Sequence, residues 1–241
     1  MSSSPARRLA EAPRTIRGKK LDTALTAVLI ATKDLDVVRL CLARFAGGES
    51  SIDAELVKGL YLACDRRLKL ELACSAVVDQ LPPRPFRRIF LDAYHRLNPD
   101  QDQRRHLAWT LELFLKRHPD ERPAYREIVM EMLQSRGSEL RCRALTLAGL
   151  MRNLDARALF IYDRSLDSKR ADFRLNALNG LYKQVEQLDG IAPRFRELVL
   201  SDEFRRRVSR MHRLDPDEHV RRNAWVLLKL LRRAAAAGRH R

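Results

Sequence analysis

The sequence is poor in the residues that turn a chain sharply or build sheets: 9 Gly, 10 Pro and 6% aromatics in 241 residues. A β-sandwich needs more turn residues and more aromatic or β-branched strands, so this shortage favours helices. Cysteine is scarce too. Cys41, Cys64, Cys74 and Cys142 show no C-x-x-C spacing, and each stands in an apolar helical context. Four such cysteines do not make a disulfide scaffold. They are expected as small core residues in a reducing, cytoplasmic compartment. No apolar run approaches the roughly 20 residues needed to cross a bilayer, and the N-terminus has no apolar signal region. Neither a membrane span nor secretion is expected. Also missing are G-x-S-x-G, H-E-x-x-H, a cysteine poised beside a histidine, and a phosphate-cradling glycine loop. No catalytic residue, cofactor or metal ligand is therefore assigned, and the chain is expected not to be an enzyme.

What is present is apolar and cationic. Hydrophobic residues make up 45% and charged residues 32%, enough for a core and a wide solvated surface. The net charge is +16, and 38 of the 47 basic residues are Arg. Such a charge attracts acidic or phosphate-rich partners over long range, and the planar Arg fork suits phosphate better than Lys does. Residues 1–20 carry six basic residues and one Glu without apolar periodicity. They are expected to form a disordered basic tail, although a Ser- and Arg-rich start also fits an organelle presequence. A second basic tail is expected at 234–241, leaving 21–233 as one folded domain.

Between the tails the apolar residues recur at helical spacing. Helices are expected from Leu21, after Asp34, after Ser50 or Ser51, after Arg66, and over 86–97, with Pro82, Pro83 and Pro85 stopping the one before. Asn98-Pro99 reads as an N-cap followed by proline at the first helical position. Further helices are expected over 120–134, from Ser138, over 155–166 with Leu159, Phe160 and Tyr162 inward, and over 167–188. Pro193 to Leu200 and Asp202 to Arg213 follow, separated by a Ser201 cap. Asp215-Pro216-Asp217-Glu218 combines an N-cap, a proline and a Glu at the third helical position, as a capping box would. The expected fold class is all-α: about twelve helices joined by short loops, paired into an α-solenoid of about six antiparallel helical hairpins.

The second helices of these hairpins align on Ala73, Ala108, Ala144, Ala177 and Ala224, at intervals of 35, 36, 33 and 47 residues. An arginine lies three residues before four of them: Arg105, Arg141, Arg174 and Arg221. A near-constant period of this size signals stacked units, none of which buries its apolar face alone. The stretches SELRCRALTLAGLM from Ser138, ADFRLNALNGLY from Ala171 and DEHVRRNAWVLLKLL from Asp217 resemble the HEAT-repeat family. That resemblance implies an α-solenoid whose second helices line a concave, partner-binding face. It also implies that Arg105, Arg141 and Arg174 belong to a polar ladder between repeats or to the concave face.

Trp109 and Trp225 are the only tryptophans, each one residue after an aligned Ala, where other repeats carry Cys74, Leu145 and Leu178. A position that is apolar in every repeat is expected in the core. A HEAT-like group of DNA-alkylation-repair glycosylases holds damaged DNA with aromatic and carboxylate side chains. By that likeness Trp109 and Glu112 would form a stacking pair. The densest basic block is Arg205, Arg206, Arg207, Arg210, Arg213, Arg221 and Arg222. Arg206, Arg210 and Arg213 recur at i, i+4 and i+7, away from the stripe of Phe204, Val208 and Met211. Arg206, Arg207, Arg210, Arg213, Arg221 and Arg222 are the candidate contacts to a partner or to phosphate. The leading functional reading is a non-catalytic scaffold that binds an acidic protein. The alternative is direct binding of DNA or RNA phosphates, and a glycosylase of the alkylation-repair type comes third.

Overall fold

The computed structural model describes residues 27, 35–46, 54–151, 156–187 and 193–237. The expected N-terminal tail and nearly all of the helix expected from Leu21 fall outside these residues. The described chain is all-helical, with twelve α-helices and no strand. It divides into two compact units, Met1–Arg117 and His118–Arg241.

In the first unit the helices are α1 (Leu35–Ala46), α2 (Ala54–Ala63), α3 (Arg66–Ala73), α4 (Pro83–Leu91) and α5 (Gln101–Arg117). Helix α3 packs against α1, α2 and α5, while α2 packs against α4. Asp65 starts α3 by accepting a hydrogen bond from the Leu68 amide at 2.9 Å. One of the prolines expected as stops does more than end a helix: Pro83 opens α4, where its missing N–H would have had no partner anyway. Phe86, Phe90 and Phe114 are wholly buried, and Phe86 stacks on Phe114 with 3.6 Å between ring centres. Each such ring contributes about 1.5–3 kcal/mol through burial alone. Asp79, also buried, is paired with Arg117 at the end of α5.

The cap expected at Asn98 is displaced by two residues. Asn98 has φ 45, the left-handed conformation that asparagine tolerates, and sits between the π turn Asp92–Arg96 and α5. Asp100 is the cap: its Oδ1 accepts from the Gln103 amide at 2.8 Å, and Gln103 Oε1 accepts from the Asp100 amide at 3.0 Å. This reciprocal pair is a capping box with Asp and Gln in place of Ser and Glu.

The second unit holds α6 (Arg126–Leu133), α7 (Ser138–Ala148), α8 (Ala156–Leu166), α9 (Ala171–Glu186), α10 (Pro193–Leu200), α11 (Asp202–Leu214) and α12 (Glu218–Ala237). One helix was expected over 120–134. Instead Pro119–Tyr125 forms a 3-10 turn with Pro123 inside it, and the α-helix begins only after that proline. Helix α9 packs against both α7 and α12, forming one row. Helices α6, α8, α10 and α11 follow one another in contact on the other side, with α6 on α7, α8 on α9 and α11 on α12. Ala144, Ala177 and Ala224, one in each helix of the row, have no exposed surface. Helix α12 runs to Ala237, through four alanines expected in the tail, because alanine is the best helix former.

The row is held at two levels. In its interior Gly149 and Gly180 touch: a Cβ on Gly180 would stand 2.4 Å from both the Leu145 carbonyl and the Tyr162 hydroxyl. That hydroxyl donates to the same carbonyl at 2.6 Å, joining α8 to the α7–α9 seam. Buried Gln184 brings its Nε2 to the Gly149 and Met151 carbonyls, just past the end of α7, and to the Ala148 carbonyl, which also accepts from the Met151 amide. Along the helix starts runs a line of arginines. Arg170 joins Ser138 and Glu139 of α7 to Asp172 of α9. Arg174 then grips Asp215 with two parallel bonds of 2.8 Å.

Candidate functional site

The arginines expected at one repeated position do different things. Arg174 is nearly buried, at 8% exposure, and also donates to the Ser168 and Lys169 carbonyls just before its own helix. Arg221 likewise donates to the Asp215 and Pro216 carbonyls before α12. In α5 this role falls to Arg104, which donates to the Pro99 carbonyl at 3.2 Å. Arg105 is exposed and pairs with Asp102 instead. The register there is off by one residue. Arg141 lies over the Phe173 ring, 5.1 Å from its centre.

Asp215 was expected to cap α12. The cap is Asp217, whose Oδ1 accepts from the Val220 amide at 3.0 Å. Asp215 is turned back into the bidentate pair with Arg174, and an Asp217 amide bond to Asp215 Oδ1 fixes the turn. A carboxylate facing a buried guanidinium gains more there than at an exposed helix start.

The basic block of α11 and α12 also divides. Arg207 reaches across to Asp163 and Asp167 and ties α11 to the end of α8. Arg205 pairs with Asp202. With Arg221 on its carbonyls, three of the seven arginines are engaged in the fold. Arg206, Arg210, Arg213 and Arg222 are exposed, and none has an ion-pair partner among the described residues. Residues 202–237 carry ten Arg or Lys against five Asp or Glu. Three of those acids, Asp202, Asp215 and Asp217, are already bound by Arg205, Arg174 and the α12 cap.

Both tryptophans were expected in the core, and both stand at the surface, Trp109 37% and Trp225 36% exposed. The equivalent Leu178 is buried because α9 is flanked by α7 and α12, whereas α12 ends the row. The His212 ring lies over Trp225, 5.0 Å between centres and 24° between planes. Lys229 Nζ is 4.8 Å from the indole centre and the Arg232 guanidinium 5.9 Å. Each such exposed contact contributes about 0.5–1 kcal/mol. Beside this cluster a groove of about 330 Å³ is lined by Asp202, Arg205, Arg206 and Ser209 of α11 and by Leu228 and Arg232 of α12. Arg232 borders both. The signal in the sequence was the Trp225, Lys229 and Arg232 spacing, at i, i+4 and i+7 on one face of α12.

Of Trp109 and Glu112, only the tryptophan reaches the surface. Trp109 lines a groove of about 680 Å³ between α1, α3 and α5. Glu112 is buried beneath and bound to Lys116 at 2.9 Å. Phe160, expected inward, is 59% exposed, with Arg164 over its ring. Among the described residues no three His, Cys, Asp or Glu side chains come together as a metal site. Burial, with Glu71, Asp100 and Asp102 nearby, pushes the Cys74 thiol up to about 12. Burial and then Asp172 and Glu139 do the same to Cys142. Both thiols stay protonated at neutral pH and are poor nucleophiles. Among the described residues no helix is long and apolar enough to cross a membrane.

No protein-family model, no curated protein and no solved structure matches this chain.

Proposed function

We propose that the protein is a non-catalytic binding protein whose second unit is a short HEAT-like stack, and that the α11–α12 face takes an acidic macromolecular partner. The stack reading is supported by the order of packing, α6 on α7, α8 on α9 and α11 on α12, with α7, α9 and α12 in one row. It is supported as well by Arg174 and Arg221, which bind the carbonyls before their own helices in the same way.

The observation that carries the partner reading is the set of uncompensated arginines. Arg206, Arg210 and Arg213 stand on one helix face without carboxylates, while Arg205, Arg207 and Arg174 nearby are each matched to one. The fold satisfies those it uses and leaves the ridge open. A row of like charges is self-repelling and becomes favourable when a polyanion neutralises it.

The test is fluorescence anisotropy of a labelled polyglutamate peptide with the full chain, from 50 to 200 mM salt. Binding is expected at the low end and to weaken steeply with salt. Arg206→Glu, Arg210→Glu and Arg213→Glu together should remove it with unchanged helicity by circular dichroism. Retention of full affinity by that triple variant would rule the ridge out as the contact surface.

A further inference from the structure

We infer that the anion this face is built for is a single-stranded nucleic acid, with a base stacked on Trp225 and phosphates held by Arg206, Arg210 and Arg232. The inference rests on the reading of the α11–α12 face as a polyanion site, and it names the partner of that site.

The ridge alone does not choose between an acidic protein and a nucleic acid, since both supply negative charge. The aromatic does. A protein partner needs a dry apolar patch at the centre of its contact. Here the groove between α11 and α12 offers charged and polar side chains and one leucine, Leu228, that is almost fully buried. The aromatic surface at its edge is a single indole with the His212 ring beside it and two cations over it, Lys229 and Arg232. An isolated aromatic among basic side chains is how sequence-tolerant sites for single strands are made, because every base has a π-face and every nucleotide a phosphate.

The cations over the indole fit this use. Lys229 and Arg232 reach the ring on long, flexible stems, and the contact each makes is weaker than the stacking of a base. An arriving base takes their place on the ring, and the displaced cations move to its phosphates. His212 is held differently, by the contact of its Nδ1 with the Arg221 carbonyl at 3.2 Å. It stays as a second aromatic surface beside the indole. Duplex DNA presents its phosphates but not its bases, so the site favours single strands. Asp202, the one acid lining the groove, is bound by Arg205 and does not oppose the phosphates.

The experiment uses the full chain carrying Trp109→Phe, which leaves Trp225 as the only tryptophan. Fluorescein-labelled oligo-dT of 15 nucleotides is titrated, with the matching duplex and labelled polyglutamate as comparisons. The expected result is quenching of Trp225 emission by unlabelled oligo-dT. Trp225→Ala should weaken oligo-dT binding by roughly 5- to 150-fold, the range of one stacked base, and leave polyglutamate binding unchanged. Removing each of Arg206, Arg210 and Arg232 should lower the slope of log affinity against log salt by about 0.7. Should Trp225→Ala lose helicity, Trp225→Phe, which keeps a smaller ring, together with the quenching, decides the matter. Binding of polyglutamate without oligo-dT would overturn the nucleic-acid inference and leave the acidic-protein reading standing. Equal affinity for duplex and single strand, or no effect at Trp225, would overturn it too. No binding of either anion at 50 mM salt would defeat both readings.

Discussion

Replacing Arg174 with Ala should destabilise the second unit by about 3 kcal/mol. Its guanidinium makes four hydrogen bonds: two to Asp215 and one each to the Ser168 and Lys169 carbonyls. The carbonyls lie where water can replace the donor, so their loss costs little. Asp215 is different, for its side chain is only 6% exposed. Without Arg174 it keeps the Asp217 amide but becomes a nearly buried, uncompensated carboxylate, and removing one partner of such a pair costs about 3–5 kcal/mol. Partial access of water at the turn argues for the lower end. With a urea slope near 2 kcal/mol per molar, the unfolding midpoint should fall by about 1.5 M. The assay is urea unfolding in a Trp109→Phe background, where Trp225 on α12 reports on the second unit alone. Asp215→Ala and the double variant complete a thermodynamic cycle, in which Arg174 and Asp215 should couple by about 2 kcal/mol. A coupling below about 0.5 kcal/mol would show that this pair does not hold α12 to α9, and the arginine line would lose its structural role.

Glycine gives a contrast of sign. Gly180→Ala places a methyl group 2.4 Å from the Leu145 carbonyl, so despite better helix propensity it should destabilise by about 1–3 kcal/mol. Gly59→Ala in α2 meets nothing within 4 Å and should stabilise by about 0.5–1 kcal/mol, with thermal midpoints reading both. Gln184→Leu takes the side-chain donor from the buried Gly149 and Met151 carbonyls and should cost about 1–3 kcal/mol by the same denaturation assay. Alkaline stability should depend on the thiols. The folded values of Cys74 and Cys142, about 12, lie above the ordinary 9.0, so their contribution is whole below pH 9 and is lost as pH rises through 12. Urea midpoints measured at pH 8, 10 and 11 should fall less steeply for the Cys74→Ala, Cys142→Ala double variant, and identical slopes would refute the assignment.

Much of the architecture was legible because helices are local objects. Apolar spacing, Ser201 before α11 and proline at the start of α10 marked elements that the structure places within a residue or two. Where local signals competed, the reading slipped: Asn98 and Asp215 both look like caps, and the true caps, Asp100 and Asp217, each lie two residues further on. In the candidate site the Arg206, Arg210 and Arg213 ridge could be read from periodicity. The loss of Arg207 to the fold could not, since Asp163 lies 44 residues away in sequence. Nor could the exposure of the tryptophans, because the repeat pattern shows which positions are equivalent and not which of them a neighbouring helix covers.

The sequence by itself determined the helical class, the repeating alanine register and the excess of arginine, since each follows from composition or from spacing within one helix. Tertiary structure alone decided which arginines are occupied and which aromatics are open. Arg174 found Asp215 across 41 residues, and Trp225 stayed at the surface because α12 ends its row. Charge and apolarity are properties of single residues. Compensation and burial belong to pairs, and only folding brings the pairs together.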